Sequence, residues 1–134
     1  MEYLWSGSPD LDGLVAKEHW IEVEVGVSIR VLVWKEEGIE PDSGTVVMVP
    51  GWGSLFEGWK PLVTEWAKRR HLIYIETREK ASSRFNGRIS KDDFSIERHA
   101  RDIEAVLDVL DINQKSIDWY SSSLGSTILI DAFE

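Results

Sequence analysis

Residues 117–126 read Ile117-Asp118-Trp119-Tyr120-Ser121-Ser122-Ser123-Leu124-Gly125-Ser126, followed at once by Thr127-Ile128-Leu129-Ile130. An apolar strand carrying Ile117 and Trp119 runs into three serines, and a helical run begins after them. The spacing predicts strand, sharp turn and helix, with Ser123 at the apex. Ser121 and Gly125 then stand two residues before and two after the apex. Both must be small, because the helix start folds back over the strand end around a strained central residue. In return the Ser123 hydroxyl stands clear of the sheet, and the Leu124 N–H points where an oxyanion would form. A serine run alone is ordinarily a solvated loop; the order of elements ahead of this one is what raises it.

Working outward, the chain before this turn alternates strand and helix signals. Residues 1–18 carry turn signals at Ser8-Pro9-Asp10 and Asp12-Gly13 and are expected to form an irregular amino-terminal arm. Ile21, Val23 and Val25, then Val27, Ile29, Val31 and Val33, recur with period two about Gly26. Residues 20–34 therefore read as an antiparallel hairpin. Lys35 to Gly44 reads as a loop. Thr45 to Val49 is an unbroken apolar run, the mark of a strand covered on both faces. Trp59, Leu62, Val63, Trp66 and Ala67 recur at helical spacing, with Pro61 tolerable in a first turn. Leu72 to Ile75 is a second buried strand, and Thr77 to Asp93 reads as a long polar loop. Ile96, Ala100, Ile103, Leu107 and Leu110 form one helical stripe, with Ser95 as its N-cap. A third buried strand, Ser116 to Tyr120, leads into the turn and a last helix through Phe133. Such repetition predicts an α/β domain: a mostly parallel sheet, begun by an antiparallel hairpin, with helices on both faces. Function in such sheets gathers at the carboxyl ends of the strands. Pro50–Gly53 and Ser121–Gly125 both lie there.

Composition narrows the classes. The 134 residues suffice for one domain with one core. With 43% hydrophobic and 29% charged residues, the chain has the profile of a globular protein rather than a disordered one. A net charge of -9 disfavours nucleic acid or anionic lipid as a partner. The compact basic cluster Lys68-Arg69-Arg70 ends a predicted helix, where cations complement the helix dipole. The sequence has no cysteine, which excludes disulfides, thiolate chemistry and cysteine-bound zinc. No metal or cofactor site is expected. The first residues lack the basic and apolar regions of a signal peptide, and no run approaches the length of a membrane span, so a cytoplasmic location is expected.

Two phosphate-binding motifs come close and fail. Gly51-Trp52-Gly53 follows a strand, but Phe56 stands where a dinucleotide fingerprint needs its third glycine. Gly53 to Gly58 approximates a P-loop, but Trp59 stands in place of the required lysine.

The chain resembles the amino-terminal half of the α/β-hydrolase fold superfamily, over nearly all of residues 20–134. It looks like the esterase, lipase and haloperoxidase-like members. The stretches that carry the likeness are Val46 to Gly53 with Trp59, Phe94 to Leu110 with its Asp102 and Leu107-Asp108 pairs, and Tyr120 to Ser126. The resemblance implies that Ser123 is the nucleophile, that the Leu124 N–H is one oxyanion donor and that the Trp52 N–H is the other. It implies an ester-like small-molecule substrate, with Leu55 and Phe56 as candidate lining of an acyl pocket. Several positions depart from the family pattern. Pro50 replaces a histidine, while Ser121 and Ser126 replace glycines. Glu76-Thr77-Arg78-Glu79-Lys80-Ala81-Ser82-Ser83 stands where relatives often carry Asp-x-Arg-Gly-x-Gly-x-Ser. Serine rather than aspartate at position 123 argues against the dehalogenase and epoxide-hydrolase branches.

In this family an acid and then a histidine follow the nucleophile. No histidine follows Ser123. His71 opens a strand at the far end of the sheet, and His19 and His99 read as boundary or surface residues. Without its base, a serine nucleophile loses on the order of a million-fold in turnover. The expectation is therefore a serine hydrolase of ester-like bonds represented by its nucleophile half, an incomplete α/β-hydrolase fold. A missing carboxyl-terminal half or a second copy would complete the sheet. The rival is a non-catalytic module that binds a partner through its open sheet edge.

Overall fold

The period-two pattern at the amino end builds the first pair of long strands. The computed structural model describes residues 10–11, 13–35 and 44–133. Strand β3 (Lys17–Glu24) pairs antiparallel with β4 (Val27–Trp34). The pattern extends one residue too far: Val25 lies in the turn, 96% exposed, beside Gly26 at φ 81°. The turn takes Val25 because only two residues separate Glu24 from its partner Val27, and Gly26 supplies the left-handed backbone. The arm expected over residues 1–18 is described from Asp10. There, β1 (Asp10–Leu11) and β2 (Leu14–Val15) pair as a small hairpin, and Leu11 and Ala16 are buried. Most of the loop expected after Lys35 lies outside the described residues.

Two of the three strands expected to be buried occupy the middle of the sheet, as their lack of alternation requires. The third, Ile117–Ser121, ends the strand order and has no buried residue, because it has a neighbouring strand on one side only among the described residues. Strands β5 (Thr45–Val49) and β6 (His71–Ile75) are parallel, and β8 (Ile117–Ser121) joins β5 in parallel. The order is β3-β4-β6-β5-β8, with β4 antiparallel to both neighbours on this path. A two-residue strand, β7 (Arg84–Phe85), also pairs with β4, inside the stretch expected to be loop. Because β4 is internal, both its faces are covered from Ile29 to Trp34.

Helices cover both faces. Helix α1 (Phe56–Ala67) packs on the side of Leu32, Trp34, Val46, Met48, Leu72 and Tyr74. It begins before the predicted Trp59, because Phe56 stacks on Trp34 and meets the edge of Tyr74. Pro61 thus falls in the second turn, on the exposed face, where losing a backbone bond costs least. Helices α2 (Ile96–Val109) and α3 (Leu124–Phe133) cover the other side, with Ile103, Val106 and Ile128 buried against Val31, Val47, Val49 and Ile73. Full burial of each such side chain contributes about 1.5–3 kcal/mol. Ser95 caps α2, accepting from the Arg98 N–H at 3.2 Å. Three chain segments meet at the carboxyl ends of the parallel strands: residues 50–55 after β5, 76–83 after β6 and 121–123 after β8.

Candidate active site

Ser123 occupies the turn between β8 and α3, with φ 50°, and it is exposed. This is the left-handed region, which a serine adopts only under constraint from its surroundings. The constraint is visible at Gly125, whose hypothetical Cβ would lie 2.1 Å from the Val49 carbonyl oxygen and 3.0 Å from that of Pro50. The start of α3 therefore rests directly on the end of β5, at a distance only glycine permits. The two serines that stand in glycine positions face one another: Ser121 Oγ and Ser126 Oγ are 2.8 Å apart. That bond joins the end of the strand to the first turn of the helix.

The loop after β5 lies against this turn. A Cβ on Gly51 would meet the Ser122 carbonyl oxygen at 3.0 Å and the Ser123 Cβ at 3.2 Å. Trp52 follows, 64% exposed, and Gly53 at φ 68° closes the turn, with the Ser54 N–H donating to Gly51 O at 3.2 Å. Among the described residues, the N–H groups of Trp52 and Leu124 have no hydrogen-bond partner. Of the two residues expected to line an acyl pocket, Leu55 is exposed beside Trp52. Phe56 is core, held between Trp34 and Tyr74.

Residues 76–83 were expected as polar loop, yet Glu76, Thr77, Arg78, Lys80 and Ser82 are all buried. Each is satisfied by a specific partner. Arg78 Nε and Nη2 form a fork on the Asp102 carboxylate at 2.7 and 2.6 Å. Its Nη1 donates to Glu24 Oε1 and to the Asp93 carbonyl. Burial pushes the Asp102 carboxyl up, and the Arg78 fork works against that shift. Ser82 Oγ donates to Glu76 Oε2. Lys80 Nζ donates to Gly51 O at 2.9 Å, Thr77 Oγ1 at 3.0 Å and Glu79 Oε1 at 2.5 Å. Burial raises the Glu79 carboxyl, but hydrogen bonds from His99, Lys80 and Thr77 outweigh it and hold the pKa at about 2. The composition of this stretch concealed its role. Its only signal was a dense set of charges at the mouth of a buried strand, where a solvated loop is the commoner outcome.

None of the three histidines is placed to serve Ser123. His99, expected at a boundary or on the surface, is buried, because α2 turns it toward residues 76–83. Its Nδ1 bonds Ser95 O at 2.8 Å and its Nε2 bonds Glu79 Oε2 at 3.0 Å, so both ring nitrogens are engaged. His71 begins β6, at the end of the sheet opposite Ser123. With His19, Lys17, Lys35 and Asp111 it lines a cavity of about 460 Å³. Burial, with Lys17 and Lys35 close by, holds His19 below its usual range.

No protein-family model and no curated protein sequence matches the chain. Solved structures do match. An α/β hydrolase from Novosphingobium aromaticivorans is similar with TM-score 0.70 and 16% identity, over 84% of this chain and 37% of that one. Epoxide hydrolase A from Mycobacterium thermoresistibile is similar with TM-score 0.68 and 19% identity, over 87% of this chain and 34% of that one. The Cif epoxide hydrolase from Acinetobacter nosocomialis is similar with TM-score 0.66 and 24% identity, over 93% of this chain and 35% of that one. The fold is that of the α/β hydrolases. The chain spans about a third of the length of these structures. Within the α/β-hydrolase fold, the departures Ser121 and Ser126 are joined to each other. Glu79 and Lys80 are joined to His99 and to the loop after β5. Among the described residues no helix is long and apolar enough to cross a membrane.

Proposed function

We propose that this chain carries the nucleophile half of a serine hydrolase acting on ester-like bonds. Ser123 Oγ attacks the substrate carbonyl and forms the new carbon–oxygen bond. The Leu124 and Trp52 N–H groups hold the resulting oxyanion, and the alcohol leaves as the carbonyl reforms. Water then cleaves the acyl-serine. The acid and the histidine base come from sequence beyond these residues; the histidine takes the Ser123 proton on attack and gives it to the departing alcohol. The observation that carries this reading is the backbone of Ser123: exposed, at φ 50°, between a strand end and a helix start. At 19% and 24% identity, the epoxide hydrolases among the similar structures speak to the fold and not to the substrate. A hydroxyl rather than a carboxylate at position 123 favours acyl transfer. Labelling with a fluorophosphonate probe tests the reading, on a protein in which these residues are joined to the acid and the histidine. Wild type is expected to label and Ser123→Ala is not; an unlabelled, folded wild type refutes it.

A second reading rests on β8. Among the described residues β8 pairs only with β5, and an apolar groove of Gln114, Trp119, Leu129, Ile130 and Phe133 lies beside it. In that reading the chain is a non-catalytic module whose free edge pairs with another polypeptide. A folded sample that never labels, and that associates with itself as concentration rises, favours it.

A further inference from the structure

Lys80 is a lysine whose side chain is only 8% exposed, and all three of its protons have acceptors. Two of those acceptors, Thr77 Oγ1 and Glu79 Oε1, belong to its own loop. The third, Gly51 O, belongs to the loop after β5. Gly51 O also accepts the Ser54 N–H. Two donors therefore fix the carbonyl end of the Gly51–Trp52 peptide. The described peptide bonds are all trans. In a trans peptide the carbonyl and the following N–H point in opposite directions. Holding Gly51 O toward Lys80 thus turns the Trp52 N–H away from it, to the side where it has no described partner. Behind Lys80 stands a rigid support: Glu79 accepts from Lys80 through one oxygen and bonds His99 through the other, and His99 is tied to the Ser95 carbonyl at the cap of α2.

We propose that Lys80 is a positioning residue that aims the Trp52 N–H by holding the Gly51 carbonyl, with Glu79 and His99 as its buttress. The inference rests on the oxyanion role given above to Trp52. It adds a residue that touches neither substrate nor Ser123, and it assigns a task to two charges that the sequence left as a departure from the family pattern.

The test compares wild type, again joined to the acid and the histidine, with Lys80→Met, Lys80→Arg and Thr77→Val. Two quantities are read on each: the rate of fluorophosphonate labelling at Ser123 and the position of the Trp52 backbone amide signal by NMR. A misaimed donor costs between about tenfold and a hundredfold in rate. Folded Lys80→Met is expected to label that much more slowly and to shift the Trp52 signal. Lys80→Arg, which keeps a cationic donor, recovers part of the rate. Wild-type labelling in folded Lys80→Met overturns the proposal. Should Lys80→Met not fold, Thr77→Val decides, since it keeps the ammonium and removes one acceptor. A smaller change in the same direction supports the proposal, and none overturns it. If wild type itself does not label, the nucleophile reading falls and the Trp52 signal alone judges Lys80. An unmoved signal rejects its hold on the loop, and a moved one sustains it.

Discussion

At the scale of single residues, the turn at Ser123 depends on what is missing at Gly125. A methyl group there would sit 2.1 Å from the Val49 carbonyl oxygen, an overlap with backbone that no side-chain rotation relieves. Gly125→Ala is expected to cost about 3 kcal/mol, read from urea melts, because α3 must lift from β5. The fluorophosphonate reaction should disappear with it. This part of the site was legible in the sequence. Small residues at two fixed offsets from Ser123 have a steric reason, and steric reasons survive without a template. The contact between Ser121 and Ser126 was not legible, since each reads alone as a substituted glycine and only the folded turn brings them together.

At the scale of elements, α2 shows how a helix ends without the usual residue. The Asp111 N–H donates to Asp108 O, and the Ile112 N–H reaches back to Leu107 O at 3.0 Å, while Asp111 takes φ 53°. That is a Schellman motif with aspartate in the place glycine favours. Asp111→Gly is expected to stabilise the protein by about 0.5 kcal/mol, seen as a small rise in melting temperature. Strands and helices with clean periodicity were readable: the central apolar runs, the α2 stripe and its Ser95 cap all follow from spacing. Boundaries set by tertiary contact were not. Helix α1 starts at Phe56 because an aromatic stack holds it, and no local propensity announces that. Strand β7 forms because the edge of β4 is there to receive it.

At the scale of the molecule, a buried ionic layer closes the carboxyl end of the sheet, and its charge sets the response to acid. Glu79 has a folded pKa of about 2 against an ordinary 4.5. A carboxyl depressed on folding gives stability that is complete above its unfolded value and is lost as pH falls toward the folded one. Unfolding free energy should therefore decline between pH 4.5 and pH 2, with Glu79 among the causes. Glu79→Gln should flatten that decline when urea midpoints at about pH 7 and about pH 3 are compared. The strand order carries one more consequence. Strand β6 lies between β4 and β5, although both precede it in the chain. During synthesis, a nascent polypeptide that has not yet released residues 71–75 holds two apolar strands with an empty slot between them. The slot accepts nothing local, so folding waits on a distant segment. A ribosome stalled before His71 thus presents the translating cell with its most adhesive intermediate, and truncations at that point should precipitate where the whole chain stays in solution.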